Sequence, residues 1–212
     1  MLPQEFLDRM KKQLGEEFPA FLESLERPRA VALRWSPRCG EPPRMDFQRE
    51  RIPWEPLGWY YDPEARPGLH PYHEAGAYYL QEASAMAPVA LLSPQPGEFI
   101  LDMCAAPGGK SFAAAIQMDN QGEVISCDLH PHKKKLIQAG ADRLGLSIIK
   151  PMTADGKVRR EEWVSAFDLV LVDAPCSGLG VIRKKPDIRY KDPKPLEDLP
   201  QVQQAILENA AG

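Results

Sequence analysis

Cys176, in Asp173-Ala-Pro-Cys-Ser-Gly178, has both the side-chain type and the neighbours of a nucleophile. A thiolate is a strong, soft nucleophile that adds to electron-poor carbon. The apolar run Phe167-Asp-Leu-Val-Leu-Val-Asp173 in front of it reads as a buried strand, so the thiol would stand at the carboxyl end of that strand. Pyrimidine chemistry needs this arrangement. Carbon 5 of cytosine is a poor nucleophile until a thiolate adds at carbon 6 and turns the ring into an enamine, which then attacks an electrophilic methyl group. Loss of the carbon-5 proton and expulsion of the thiol close the cycle. Asp173 is placed to hydrogen-bond the N3/N4 edge of such a base. The plainer alternative is a buried cysteine packing as a small apolar side chain.

A methyl donor would have to be held nearby, and Phe99-Ile-Leu-Asp-Met-Cys-Ala-Ala-Pro-Gly-Gly-Lys110-Ser-Phe offers a place for one. An apolar run, a Pro-Gly-Gly turn and a helical start form a strand, tight loop and helix. The glycines allow close backbone approach, and the unpaired N–H groups of the first helical turn favour an anionic group. Two competing loops fail on the letters. A phosphate-gripping loop needs a glycine where Cys104 stands, and a dinucleotide fingerprint needs three glycines where only the adjacent Gly108 and Gly109 occur. What remains is the glycine loop of a methyltransferase that binds S-adenosylmethionine, with an ordinary Gly-rich strand-to-helix turn, common in α/β proteins, as the alternative.

Three acids follow at successive strand ends. Asp128 closes Glu123-Val-Ile-Ser-Cys-Asp128, where an acid accepts from both ribose hydroxyls; with His130-Pro131 next, a cap on the following helix is the rival. Asp155, in Thr153-Ala-Asp-Gly156, would receive an adenine amino group or head an ordinary Asp-Gly turn. Asp173 is the third. Among basic runs, Arg183-Lys184-Lys185, with Arg189 and Lys191, lies just past the Pro-Cys loop, where a flipped cytidine and its phosphates would pass. Lys133-Lys-Lys135 reads as a solvated helix face. Seven arginines against three acids between Arg27 and Arg51 either track phosphates or decorate an exposed lobe. His70 and His73 lack partners at metal spacing.

The elements that must position these residues alternate from Phe99 onward: strand 99–103, helix 110–118, strand 123–128, helix 131–144 stopped by Gly145, strand 147–152 and strand 167–173. That order predicts a parallel sheet with ligands at the carboxyl ends of its strands. Upstream, helices are predicted over residues 2–14, with Gly15 as stop, and near Phe18–Leu25. An alternating strand follows over Ala30–Trp35. Residues 37–71 hold eight prolines and the aromatics Trp54, Trp59, Tyr60 and Tyr61, too aromatic for a disordered linker, and read as an irregular ordered lobe with short strands. A turn, short strand and helix are expected over 70–92.

The chain has 212 residues, 43% hydrophobic, with a net charge of −4. This allows a sizeable core and argues against a protein that coats nucleic acid indiscriminately. Four dispersed cysteines without a C-x-x-C pair suggest neither a disulfide framework nor a zinc ribbon, and no apolar segment has membrane length. A cytoplasmic location, without membrane or metal, is expected.

Cys104-Ala-Ala-Pro-Gly-Gly-Lys110, Phe167-Asp-x-x-x-x-Asp-Ala-Pro-Cys-Ser-Gly178 and Arg183-Lys-Lys-Pro-Asp187 together resemble the Sun-type RNA (cytosine-5) methyltransferase family, and His70–Met86 with the leading helices is most similar to its RsmF branch. The resemblance spans nearly the whole chain. It implies an α/β fold with a class I, Rossmann-like S-adenosylmethionine-dependent methyltransferase core and an N-terminal α+β lobe, divided as residues 1–75, gripping RNA, and 76–212. It implies that Cys104, Ala105, Ala106, Pro107, Gly108, Gly109 and Lys110 contact S-adenosylmethionine, with Asp128 at the ribose, Asp155 at the adenine and Asp173 between the methionine and the target base. The reaction it implies is methylation of carbon 5 of a cytidine in ribosomal RNA, the small subunit foremost. It also reassigns the attacking thiol to a later Thr-Cys motif, and leaves to Cys176 the release of the methylated RNA. The family continues beyond the helix at 200–211, so a truncated chain is expected, with four of seven sheet strands and without that nucleophile. A bare edge on strand 167–173 would follow. A transfer-RNA substrate, and a module that binds RNA or cofactor without turnover, are the alternatives.

Overall fold

The computed structural model describes residues 4–178, 181, 185–190 and 196–211. The chain divides into two compact units, Met1–Ala30 and Val31–Gly212. In the first, helix α1 (Gln4–Leu14) carries Phe6, Leu7, Met10 and Leu14 as its half-buried positions. Gly15, at φ +54°, ends it and opens a single 3-10 turn into α2 (Phe18–Glu26), which has Pro19 in its first turn. Phe21 meets Phe6 and Phe18 with ring centroids 6.3 and 6.4 Å away, so the two short helices share one apolar seam. Leu25, near the end of α2, is exposed.

The second unit begins with a four-stranded antiparallel sheet, ordered β2 (Gln48–Ile52), β3 (Glu55–Tyr61), β1 (Ala32–Trp35), β4 (Tyr78–Leu80). The proline-rich lobe therefore has more regular structure than its composition suggests. β1 does not alternate between buried and exposed residues: all four are buried. Leu33 and Trp35 pack with Trp59 and Tyr78 on one face, while Ala32 meets Ile52, Ala83 and Met86 on the other. A strand covered on both faces has no solvent side to alternate with, and Arg34 is buried with it. The short helix α3 (Pro71–Glu74) starts from His70, whose Nδ1 accepts from Tyr72 N at 3.1 Å.

After α4 (Ala83–Leu92) come β5 (Phe99–Asp102), α5 (Gly109–Gln117), β6 (Glu123–Asp128), α6 (Pro131–Leu144) and β7 (Ile149–Thr153), then β8 (Leu169–Leu171) and α7 (Leu199–Ala211). The sheet is parallel, in the order β7-β6-β5-β8. Ile100 and Val124 face α5 and α6, where Phe112, Ala113, Ile137 and Ala141 complete the main core. Leu101, Met103 and Cys127 face the other way, onto Ile206 of α7. This is a doubly wound α/β layer, the expected class I methyltransferase fold. β8 is shorter than the apolar run predicts. Asp168 nevertheless extends the pairing, its backbone N donating to Phe99 O at 2.9 Å and its carboxylate accepting from Phe99 N at 2.8 Å. The order reverses between β5 and β8, and in open α/β sheets the crevice outside the carboxyl ends at such a reversal is where ligands bind.

Candidate functional site

The loop after β5 is shaped by its small residues. Ala105 N donates to Cys127 O at 2.8 Å, tying the loop to the neighbouring strand, and Gly108 N donates to Ala105 O at 2.6 Å to close a tight turn. Gly108 has φ +107°, and a Cβ there would stand 2.3 Å from the Phe112 ring. Only glycine fits. Phe112 N then donates to Gly108 O at 2.8 Å and α5 begins, with its first N–H groups turned toward the loop.

Beneath the loop lies a carboxylate that the strand prediction passed over. Asp102, the last residue of β5, is fully buried and accepts from Ser111 Oγ at 2.7 Å; Ser126 Oγ donates to Ser111 Oγ at 2.8 Å. Burial pushes its carboxyl up to about 6; the Ser111 bond and the Lys110 charge oppose that rise, and Asp173 adds to it. Its Oδ1 has no partner among the described residues. The signal was in the sequence: an acid ending an apolar strand conflicts with its neighbours and calls for an explanation.

The three strand-end acids differ in engagement. Asp128 accepts from His130 N at 3.0 Å and lies 3.5 Å from Lys133 Nζ. The N-cap of α6 is His130, so Asp128 does not cap that helix directly. Lys133, read as part of a solvated face, instead points to this acid. Asp155 heads a turn: its Oδ1 accepts from Lys157 N and its carbonyl from Val158 N, both at 3.0 Å. Asn209 of α7 clamps that turn by donating to Gly156 O at 2.8 Å and Val158 O at 3.2 Å. Asp173, 55% exposed, receives Lys110 Nζ at 2.6 Å, and Lys110 is itself only 19% exposed. This ion pair joins the glycine loop to the loop after β8.

A cleft of about 260 Å³ opens at this junction. Cys104, Ala105, Ala106, Pro107, Gly109, Lys110 and Asp173 line it, faced by Tyr79 and Gln81 from the β4 side. Gly108 supports the loop from behind, while Asp128 and Asp155 stand at the ends of β6 and β7, outside the cleft lining. Lys185 reaches the cleft; Arg183 and Lys184 lie outside the described residues; Asp187 is exposed in a 3-10 turn, Pro186–Tyr190. Cys176 is exposed three residues past Asp173, on a loop that Gln203 of α7 holds by donating to Pro175 O at 2.8 Å. Burial pushes the Cys104 thiol up to about 11, with Asp102 and the other nearby acids acting in the same direction, so it stays protonated at neutral pH.

The arginines between 27 and 51 are less available to phosphates than their number suggests. Arg34 is buried, Arg49 pairs with Asp62, Arg51 lies 4.5 Å over the Trp59 ring, and Arg27 pairs with Glu23. Among the described residues no helix is long and apolar enough to cross a membrane, and no cluster of metal-ligating side chains occurs.

These residues fit S-adenosylmethionine. A Cβ on Gly109 would meet the Tyr79 ring at 3.1 Å and the Gln81 amide at 3.3 Å, so the loop backbone borders a narrow slot. The orphaned Asp102 Oδ1 and the strand-end acids supply acceptors for a nucleoside with an ammonium-bearing tail.

Residues 2–83 match the family model for the N-terminal domain of the 16S rRNA methyltransferase RsmF, and residues 89–212 that for the 16S rRNA methyltransferase RsmB/F. A probable ribosomal RNA small subunit methyltransferase B of Bacillus subtilis is 47% identical over 146 residues, 68% of this chain and 32% of that protein. Ribosomal RNA small subunit methyltransferase F of Vibrio cholerae is 32% identical over 226 residues, 99% of this chain and 47% of that one. In a solved methyltransferase homolog protein from Pyrococcus horikoshii, 26% identical, the match has a TM-score of 0.76 and covers 98% of this chain and 68% of that structure. The chain thus spans between about a third and about half of these curated relatives' length. Matched by one family model over more than half its residues, in the region that holds the parallel sheet and the cleft, the chain belongs to the RsmB/F family of 16S rRNA methyltransferases.

Proposed function

We propose that this chain carries the cofactor site and the base-facing cleft of an enzyme that methylates carbon 5 of a cytidine in small-subunit ribosomal RNA, in the cytoplasm. The observation that carries this reading is the Lys110–Asp173 pair, which brings the glycine loop after β5 against the Asp173–Cys176 loop after β8 at the reversal of strand order. When bound, S-adenosylmethionine supplies an electrophilic methyl group. The slot over Gly109 and the first-turn N–H groups of α5 take its amino-acid end; Asp128 accepts from the ribose hydroxyls, and Asp155 from the adenine amino group. Lys110 fixes Asp173 so that its carboxylate accepts from the exocyclic amino group of the cytosine and orients the ring. The 212 residues contain no Thr-Cys pair. The thiolate that adds at carbon 6 belongs to that motif in the whole protein, and Cys176 acts in releasing the methylated base. Arg183, Lys184 and Lys185, with Asp187, meet the RNA beside the flipped nucleotide.

Calorimetric titration with S-adenosylmethionine tests the cofactor site. The wild-type chain should bind, and Asp128→Ala should weaken binding by about 10- to 100-fold, the worth of hydrogen bonds to a charged acceptor. A folded wild-type chain that takes up no cofactor would overturn the proposal. Filter binding should favour 16S ribosomal RNA over transfer RNA, with Lys185→Ala reducing the salt dependence by about one phosphate contact. The reverse preference would move the substrate to transfer RNA.

A further inference from the structure

Arg34 has no part in the chemistry described so far, yet it lies against the glycine loop. It is 1% exposed, on the face of β1 turned toward α4 and α5, opposite Tyr79 of β4 in the strand register. Burial lowers its pKa to about 10, with Glu55 and Tyr79 opposing the fall. Its guanidinium fork points at the site. One terminal nitrogen donates to Gln81 Oε1, and both terminal nitrogens stand 3.5 Å from the Gly109 carbonyl, while Nε has no partner among the described residues. Gln81 Nε2 in turn donates to Ala85 O at 3.1 Å, so the Gln81 amide, which lines the cleft, is held at both ends.

Packing alone does not explain this charge. An apolar side chain of similar length fills such a space without the desolvation penalty of a guanidinium, and replacing buried ionic groups this way is often neutral or stabilising. What an apolar residue lacks is the planar fork, which can hold a side-chain amide and a backbone carbonyl at once. We propose that Arg34 is a positioning residue for the amino-acid end of the cofactor: through Gln81 and the Gly109 carbonyl it sets the width of the slot between β4 and the first turn of α5. The inference rests on the cofactor reading above. It makes the N-terminal antiparallel sheet part of the cofactor site, and it places the action of Arg34 at one end of the ligand only.

That last point gives the test. S-adenosylhomocysteine and 5′-methylthioadenosine share the nucleoside, but only the first has the amino-acid end. Both are titrated calorimetrically into wild type, Arg34→Met, Arg34→Lys and Gln81→Leu, with melting curves on each sample. Arg34→Met and Gln81→Leu should lose about tenfold or more in affinity for S-adenosylhomocysteine, and less than about twofold for methylthioadenosine. Arg34→Lys, which keeps the charge but not the fork, should fall between them and wild type. Equal loss for both ligands would show a general structural role, and no loss for either would show none; both results overturn the inference while leaving the cofactor site standing. Wild type that binds neither ligand overturns the cofactor reading and the inference together. Should Arg34→Met fail to fold, Gln81→Leu, which removes the same bond without touching the buried charge, decides alone.

Discussion

Gly108 and Asp102 hold the glycine loop from its two ends, and each predicts a measurable cost. At Gly108 an alanine must take φ +107° and place its Cβ 2.3 Å from the Phe112 ring. Gly108→Ala should therefore lose roughly 2–4 kcal/mol in urea unfolding, from backbone strain and overpacking together. An unchanged midpoint would mean that the loop relaxes freely. Asp102 makes stability depend on pH. Its folded carboxyl, held up near 6 against an ordinary 3.8, binds protons that the unfolded chain has already released. The fold is thus favoured at low pH and loses roughly 3 kcal/mol relative to that state as pH rises from about 4 to just above 6. The difference in melting temperature between Asp102→Asn and wild type should grow in favour of the variant across that window; a constant difference would count against a carboxyl titrating there. At this scale the sequence was partly legible. Gly108, Gly109 and Lys110 announce themselves because glycine pairs and turn residues restrict what a loop can do. Asp102 showed only as an acid ending an apolar strand, and Arg34 not at all, because where a polar residue in an apolar strand ends up depends on partners in other elements, Ser111 for the first and Gln81 and Gly109 for the second.

α7 shows how one element can serve both loops of the site. Through Asn209 it holds the turn that presents Asp155, and through Gln203 the carbonyl just before Cys176, while Ile206 anchors it on Met103 and Ala154. Asn209→Ala should cost about 1–2 kcal/mol, since two carbonyls lose their donor. It should also speed amide exchange at Val158, whose N–H closes the Asp155 turn; unchanged exchange there would mean the turn stands unaided. The parallel strands from Phe99 to Thr153, covered on both faces, were readable as short apolar runs between turn signals, set off by the longer helical segments that join them. β1 is covered on both faces as well, but its Arg34 broke the apolar run and gave it the look of an alternating strand. The antiparallel pairing of β2 and β3 left little trace in a stretch broken by eight prolines.

Across the whole molecule, β8 pairs with β5 on one side, and its other edge meets no strand among the described residues. An apolar edge of this kind is a template for pairing with a second chain. Sedimentation velocity should show weight-average mass rising with concentration, and Val170→Lys should suppress the rise; monodisperse monomers at all concentrations would show the edge is protected. The parallel alternation was legible from strand and helix order, but the place of β8 beside β5 was not, because nothing local specifies which existing edge a late strand will join. That distance along the chain also has a consequence in time. β5, β6 and β7 follow one another closely, each joined to the next by a single helix, whereas β8 must close a loop of about seventy residues to reach Ile100 and Leu101. Loop-closure entropy places that pairing late in folding. Leu171→Ala should accordingly speed unfolding while leaving the refolding rate nearly unchanged. The Lys110–Asp173 contact then forms only as the last strand docks, so a nascent or partly folded chain has the glycine loop without the carboxylate that faces it.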